Sequence, residues 1–341
     1  PTRNGFGSRA HRELRDDCGK NCRPDKPPMR REPVAFNVST GGPVEHACFE
    51  LAPTVFTGTR VKTGFHCHTV NSDGGLSPAD TARTYRECGF GALCITDHRH
   101  VTDTEGLSDT EFICLPSIEN GGMPDILAVG VKAPVERTLP LAERAKLLAA
   151  QGGFTVAAHP TYCAALPQDY LGCEHLHALE IYNAYCDNAY VNGYATELWD
   201  MLLGQGKRVL GLAGDDAHLN PEKGYYSHAG LGWIEVWAHE FSQPALLAAM
   251  KQGAFFSTQG PVFETIEVEH SAIRVTCSPV KQVRWRTFGH AGFVDHAPEA
   301  ASLTQSELPD WLKTRVFVRI ELLDHRGKRA WSNPFFLKAQ Q

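Results

Sequence analysis

The pattern of hydrophobic and polar positions divides the chain into three parts. Residues 1–44 are rich in Arg, Asp, Gly and Pro and show no apolar period, which predicts an irregular N-terminal arm. Residues 45–262 alternate short apolar runs with runs of helical period, and this alternation is typical of βα units around a mainly parallel sheet. Residues 263–341 alternate apolar and polar positions with period two, which predicts a smaller antiparallel β-domain.

Three helices are predicted inside the α/β part. One should begin after Ser77, because serine caps helices well and Pro78 suits the first helical position. A second is predicted in the run LAERAKLLAAQGG, where Leu141, Ala145 and Leu148 fall on one stripe. A third is expected in the run ATELWDMLLGQG.

Six apolar runs of the α/β part end in polar or metal-capable side chains. VKTGF leads into His66 and His68, GALCIT into Asp97 and His98, FICLPSI into Glu119, FTVAA into His159, ALEIY into Asn183, and RVLGLAG into Asp215, Asp216 and His218. In a parallel α/β barrel the carboxyl ends of all strands open on one face. Each of these side chains alone could be a strand cap, but the six strand ends together predict one polar site.

The composition limits which binding partners and which cellular location are expected. Charged residues make up 21% of the chain and the net charge is −6, so a broad surface for a nucleic acid polymer is not expected. A small anionic substrate must then be met by local charge. The 11 cysteines lie mostly singly in apolar runs, which predicts reduced thiols in the cytoplasm. No apolar run approaches the roughly 18 residues of a membrane span, so no membrane partner is expected.

The segment HCH is suited to bind a metal ion. Side chains alternate along an extended segment, so His66 and His68 share one face. With Glu119 and Asp216 they make a set of two nitrogens and two carboxylates, which suits Zn, Mn or Fe. Further ions could be held by Asp73, His98 and His218, or between Glu119 and His159. The ligand count therefore predicts two or three divalent ions.

Clustered divalent ions favour hydrolysis of a phosphoester. They lower the pKa of bound water to about 7 and neutralise the substrate's charge. Arg99 is the best candidate for binding the phosphate, although an arginine directly after a strand can equally face solvent. The sequence contains no G-x-x-x-x-G-K-[ST], G-x-G-x-x-G or G-x-S-x-G motif, so P-loop, dinucleotide and serine-hydrolase chemistry lose support.

The motifs HCHTVNSDG, ITDH, IEN, AHP and GDDAH, in this order over residues 62–218, resemble the polymerase and histidinol phosphatase (PHP) superfamily of metal-dependent phosphoesterases. The runs LEIYNAY, HAGLGWIEVWA and GKRAWSNPFF are similar to its CehA/McbA-like branch, which carries a C-terminal β-domain and includes carbamate hydrolases. The resemblance implies a distorted, TIM-like (β/α)7 barrel at residues 45–262 and a β-sandwich-like domain at residues 263–341.

The resemblance also implies a ligand set. It places His66, His68, Glu119 and Asp216 on a first metal, Glu119 and His159 on a second, and Asp73, His98 and His218 on a third. The family often has another histidine ligand where this chain has Asp125, in the run PDILAVGV. Asp125 is therefore either a ligand or a bystander.

Three functions remain open from the sequence. The leading hypothesis is a hydrolase in which a metal-bound hydroxide attacks a small phosphomonoester, with proton transfer assisted by Asp73, His98 or His218. The first alternative is amide, carbamate or ester hydrolysis at the same metal centre. The second is a non-catalytic binding module that uses the β-domain to bind a partner.

Overall fold

The computed structural model describes residues 49–50, 58–220, 228–269, 272–313 and 315–337, all of which belong to one compact unit, residues 44–341. The predicted arm at residues 1–44 lies outside the described residues. None of the helices in the described ranges has the length and hydropathy that a transmembrane span requires.

The elements of the α/β part are β1 Phe49–Glu50, β2 Thr59–Gly64, α1 Pro78–Glu87, β3 Ala92–Ile95, β4 Ile113–Glu119, β5 Ile126–Val129, α2 Leu141–Ala150, β6 Phe154–Ala157, α3 Pro167–Leu171, β7 Ala178–Asn183, α4 Ala184–Tyr190, α5 Thr196–Gly204, β8 Leu210–Gly214, β9 Trp233–Ala238, α6 Gln243–Gln252 and β10 Phe255–Thr258. Those of the antiparallel region are β11 Phe263–Glu269, β12 Ala272–Val280, β13 Gln282–Arg286, β14 Gly292–His296, β15 Leu303–Glu307, β16 Phe317–Leu323, β17 Arg329–Ser332 and β18 Phe335–Leu337, with a 3-10 turn at Asp310–Leu312.

The three predicted helices are confirmed. At the start of α1, Ser77 Oγ accepts a hydrogen bond from the backbone N–H of Asp80 at 3.1 Å, a contact that contributes about 1 kcal/mol to helix stability. Helix α2 buries the predicted stripe of Leu141, Ala145 and Leu148. The third prediction corresponds to α5.

The six predicted strands run in one direction. Strands β2, β3 and β4 pair in parallel, as do β6, β7 and β8. Strand β5, which the sequence pattern did not single out, lies between β4 and β6 and is antiparallel to both. The six carboxyl ends therefore lie on the same edge, and all four residues of β3 are buried, as in a sheet covered on both faces.

The first and last of these strands meet beyond their ends. The backbone N–H of Asp215 donates to Phe65 O at 3.1 Å, and that of Ala217 donates to His66 O at 3.3 Å. The N–H of His68 in turn donates to Ala217 O at 2.8 Å. These bonds bring the segment that carries the two motif histidines beside the segment that carries Asp216.

The antiparallel region continues the large sheet. Strand β9 is antiparallel to β2 and pairs with β10, which pairs with β17 of the antiparallel region. Strands β11, β12 and β15 form a separate three-stranded antiparallel sheet. The antiparallel pairing expected after residue 262 is thus confirmed, while the domain boundary at that residue stays a prediction.

A buried ion pair joins α5 to the antiparallel region. Arg319 Nε donates to Asp200 Oδ1 at 2.6 Å, and Arg319 Nη2 donates to Asp200 Oδ2 at 2.8 Å. Arg286 Nη2 donates to the same Oδ2 at 2.8 Å. Arg319 is fully buried, and its charge is compensated mainly by this carboxylate, with Glu321 Oε2 farther away at 3.7 Å from Arg319 Nη1.

Candidate metal centre

Three of the candidate ligands have unusual backbone conformations just beyond the strand ends. His66 has a φ of 64°, Asp216 of 53° and His159 of 26°, although none of them is a glycine. Sparsely populated conformations of this kind cost about 1–3 kcal/mol each and persist only where the surrounding structure enforces them. Their concentration at one edge of the sheet is typical of a functional site.

Four buried side chains form the first ligand group. His66 Nε2 lies 3.3 Å from both Glu119 Oε2 and Asp216 Oδ1. His68 Nε2 lies 3.0 Å from Asp216 Oδ1 and 3.3 Å from Glu119 Oε2. His66, His68 and Asp216 therefore offer three ligand atoms close enough for one ion, and Glu119 Oε2 lies 3.3 Å from both imidazole nitrogens. None of the four residues is more than 5% exposed.

The chemistry of this group fits a divalent cation. His66 Nδ1 lies 3.0 Å from Glu180 Oε1, so in the neutral ring Nδ1 carries the proton and Nε2 carries a lone pair. That lone pair faces two carboxylate oxygens, which accept hydrogen bonds and donate none when ionised. Acceptors that converge in this way require a positive charge between them, and a set of two nitrogens and two oxygens suits Zn, Mn or Fe.

The pKa values follow the same electrostatics. Burial lowers the pKa of His66, but the carboxylates of Asp216, Glu180 and Glu119 outweigh it and raise this pKa well above its usual value. Burial raises the pKa of Asp216, but His66 and His68 hold it well below its usual range. Positive charge is therefore favoured at this point, as a proton on His66 or as a bound cation.

Glu119 connects the first group to a second one. Its Oε1 lies 2.9 Å from His159 Nε2, whereas its Oε2 faces the first group. His66, Glu119 and His159 offer three ligand atoms close enough for one ion. A carboxylate with one oxygen toward each group is suited to lie between two ions a few ångströms apart.

Asp125 lies against this second group without joining it. Burial and the neighbouring charge of Glu119 raise the pKa of Asp125 to about 7, and its Oδ1 accepts the N–H of Ile126 at 2.7 Å. Among the described residues, Asp125 is absent from the sets whose ligand atoms lie close enough together for a metal. A metal-binding role for Asp125 therefore stays a prediction.

A third group faces the solvent. Asp73 Oδ2 lies 3.3 Å from His218 Nε2, and Asp73 Oδ1 lies 3.6 Å from His98 Nε2. His98 Nδ1 is 3.0 Å from Glu119 Oε2, which links this group to the first. Asp73 and His98 are partly exposed and mark the opening of the site. The structure thus brings together eight of the predicted ligands: His66, His68, Asp73, His98, Glu119, His159, Asp216 and His218.

Two further strand-end carboxylates hold the surrounding loops. Asp215 accepts the backbone N–H groups of Gly230, Leu231 and Gly232 and the hydroxyl of Tyr85. Asp97 accepts the N–H and hydroxyl of Thr69 and the hydroxyls of Ser72 and Thr102. Their oxygens are engaged by loop donors, so both residues position the segments that carry the ligands.

Arg99 lines a cleft beside the ligand groups. It follows His98 directly, has a φ of 54° and is exposed. Arg99 and Arg137 line a cavity of about 240 Å³ together with Asn120, the neighbour of Glu119, and with Glu136, whose Oε1 accepts hydrogen bonds from the N–H and the hydroxyl of Thr138. Both arginine stems pass over Gly121, where a Cβ would lie 3.6 Å from Arg99 Cγ and 3.8 Å from Arg137 Cδ.

Glu180 orients the ligands and was not predicted from the sequence, whereas Asn183 is one of the predicted strand-end residues. Glu180 accepts from His66 Nδ1 and, through Oε2, from the N–H of His159 at 2.8 Å and Asn183 Nδ2 at 3.0 Å. Asn183 Nδ2 also lies 3.1 Å from Asp216 Oδ2. The available signal was a glutamate inside the apolar run ALEIY, because a charged residue buried in a strand requires a partner.

Neither a protein-family model nor a curated protein matches the chain. Similar solved structures include a two-domain protein from Bacteroides vulgatus that contains a predicted PHP-like metal-dependent phosphoesterase. The two chains are 16% identical, the match covers 83% of this chain and 96% of that one, and the TM-score is 0.48.

Two further solved structures are similar over a smaller part of the chain. A protein from Bifidobacterium adolescentis described as a metal-dependent phosphoesterase is 15% identical, over 46% of this chain and 88% of that one, with a TM-score of 0.34. An amidohydrolase from Chromobacterium violaceum, with bound sulfate and no metal, is 14% identical, over 46% of this chain and 87% of that one, with a TM-score of 0.31. One of these three structures thus contains a PHP-like protein, and none of the three is described as a member of the CehA/McbA-like branch.

Proposed function

We propose that this protein is a metal-dependent hydrolase of small phosphomonoesters. The main support is that two buried imidazole nitrogens, of His66 and His68, face the carboxylate oxygens of Glu119 and Asp216, with two further ligand groups joined to them. With divalent ions bound, such a site would concentrate positive charge where an anionic ester would bind. A phosphomonoester needs this neutralisation before an oxygen nucleophile can approach phosphorus.

The ligand groups would share the ions through Glu119. His66, His68, Glu119 and Asp216 would hold one ion, and Glu119 with His159 would hold another. When bound, the ions supply water of lowered pKa and charge compensation for the substrate. Glu180 fixes the tautomer and the ring orientation of His66, so that Nε2 is presented as a ligand.

The third group would serve proton transfer or hold a further ion. His98 Nε2 lies 3.6 Å from Asp73 Oδ1 at the open side of the site, where it can donate to or accept from a bound substrate. His218 Nε2 lies 3.3 Å from the other oxygen of Asp73. These atoms are placed between the buried ligands and the solvent, where a leaving group would depart.

The cleft of Arg99 and Arg137 would bind an anionic part of the substrate. Both residues lie beside the backbone that follows Glu119, and planar guanidinium groups bind phosphate or carboxylate with paired hydrogen bonds. Arg137 is thus a second candidate, beside the predicted Arg99, for binding the anionic group of the substrate.

We also infer that the seven strands β2 to β8 form a distorted (β/α)7 barrel. Its support is the set of backbone hydrogen bonds that join the segment after β8 to the segment after β2. The antiparallel β5 accounts for the distortion, because it interrupts the parallel order between β4 and β6.

The test combines metal analysis with two substrates. The full chain, purified without added metal, is measured for Mn, Zn and Fe and then assayed on an aryl phosphate and an aryl carbamate. We expect bound divalent metal and turnover of the phosphate. Glu119→Gln should lose both metal and turnover, whereas Glu143→Gln, an exposed glutamate on α2, should keep both.

The same measurements separate the alternatives. Turnover of the carbamate alone would replace the phosphoesterase by a carbamate or amide hydrolase at the same centre. Absence of both metal and turnover, in protein that is folded and has been offered Mn and Zn, would favour the binding module. Retention of metal and turnover by Glu119→Gln would contradict the assigned ligand set.

A further inference from the structure

A continuous line of aromatic rings runs along one side of the ligand groups. The ring centre of Tyr162 lies 5.3 Å from that of His159, and Tyr190 lies 5.3 Å from Tyr162. Tyr185 lies 6.0 Å from Tyr190 and 4.8 Å from His218. The three tyrosines therefore connect a histidine of the second ligand group to a histidine of the third.

The elements that carry these tyrosines are anchored on the ligands themselves. Tyr162 lies three residues after His159 in the loop that follows β6. Tyr185 and Tyr190 lie on α4, whose N-cap is Asn183, and the side chain of Asn183 also contacts Glu180 and Asp216. The positions of the rings are thus fixed relative to the point where a substrate would react.

The outer rings remain open to solvent. Tyr162 and Tyr190 are each 48% exposed, whereas Tyr85 and Tyr170, which belong to the core, are fully buried. The next residue, Val191, is 89% exposed and has a φ of 58°, a conformation that a β-branched residue rarely adopts. A half-exposed apolar surface in contact with a polar site is suited to bind the apolar part of a ligand.

We propose that Tyr162 and Tyr190 form a platform that binds a planar, aromatic group of the substrate. The inference rests on the proposed function and narrows its substrate class to esters whose leaving alcohol carries an aryl or heterocyclic ring. A ligand ring that packs on the exposed side of Tyr162 or Tyr190, with centres about 4.5–7 Å apart, would extend this line. The ester group would then lie at the ligands while the ring is held beside them.

The experiment measures ring preference by binding, independently of turnover. The Mn-loaded full chain is titrated calorimetrically with phenylphosphonate and ethylphosphonate, and then with phenylurea and ethylurea as stable analogues of a carbamate. We expect phenylphosphonate to bind about ten-fold more tightly than ethylphosphonate, since stacking and burial of one ring are worth roughly this factor.

Substitutions test whether the preference for the phenyl compounds depends on Tyr162 and Tyr190. Tyr162→Ala and Tyr190→Ala should each reduce it to two-fold or less, whereas Tyr162→Phe and Tyr190→Phe should retain it, because the ring and not the hydroxyl makes the contact. Trp311→Ala removes an aromatic residue of similar exposure, 50%, in the antiparallel region and should leave the preference unchanged.

Each outcome bears on one of the two proposals. Equal binding of the phenyl and ethyl compounds in both pairs, or a ring preference that survives Tyr162→Ala and Tyr190→Ala, would overturn the platform. Ring preference among the ureas, with no binding of either phosphonate, would support the platform and remove the phosphoester from the proposed function.

Discussion

Replacement of Glu180 by glutamine should weaken metal binding without unfolding the protein. The carboxylate accepts three hydrogen bonds: from His66 Nδ1, from the N–H of His159 and from Asn183 Nδ2. A glutamine has the same shape, but one end becomes an NH₂ group that cannot accept. Its favourable orientation keeps the oxygen toward His159 and Asn183 and turns the NH₂ group toward His66.

This orientation changes the tautomer of His66. Nδ1 must then accept the amide hydrogen, so the ring proton moves to Nε2, the atom that faces Glu119 and Asp216. A protonated nitrogen cannot be a ligand until it loses that proton. Substitutions of residues that orient a metal ligand typically cost 10–100-fold in metal affinity, which corresponds to about 1.4–2.8 kcal/mol.

The assay is a competition titration of Zn or Mn against a chromophoric chelator, for the native chain, Glu180→Gln and Glu143→Gln. Circular dichroism should show an unchanged fold for all three proteins. We expect weaker binding for Glu180→Gln alone. An affinity within two-fold of the native value, in a folded protein, would refute the role given to Glu180.

Three further predictions concern packing, stability and the ions. Gly214→Ala should lower the metal content of the protein, because the new Cβ would lie 2.3 Å from Glu180 Oε1. Gly172→Ala, where no atom lies within 4 Å of the new Cβ, should leave the metal content unchanged, and metal analysis of both proteins tests this. Asp200→Ala should lower the free energy of unfolding, measured in urea, by about 3–5 kcal/mol, because it leaves the buried charge of Arg319 without its closest carboxylate. A loss under about 1 kcal/mol would contradict this. Removal of divalent ions by a chelator should abolish turnover and lower the melting temperature, because an ion at 100 times its dissociation constant stabilises the folded state by about 2.7 kcal/mol. An unchanged melting temperature on adding back Mn or Zn would count against a structural contribution of the ions.

Local patterns in the sequence were sufficient for much of the fold. The helix after Ser77 follows from a capping serine and a proline at the first helical position, and α2 follows from its apolar stripe. Strand β5 is a buried run of four residues like β3 and β6, but it leads into Gly130 and not into a polar side chain, so it lacks the signal that singled out the other strands. Its antiparallel direction depends on pairing with β4 and β6, which no local signal encodes.

The sequence predicted the candidate ligands and the supporting residues that lie at strand ends, Asp97, Asn183 and Asp215, but no others. Imidazole and carboxylate at successive strand ends predict convergence, because parallel strands share one edge. Glu180 and the tyrosines at positions 162, 185 and 190 contact residues of other segments that only the fold brings near them. Tyrosine in a loop and glutamate in a strand have many ordinary roles, so sequence alone does not distinguish these residues.

The bonds between the segments after β2 and β8 make the site a late product of chain assembly. His68 and Asp216 are 148 residues apart, and their meeting requires most of the α/β part to be in place. Closing so long a loop is entropically unfavourable until the intervening strands have paired. Tight ion binding would therefore report completed folding, and a ribosome-bound chain that stops short of Asp216 should be unable to retain the metal.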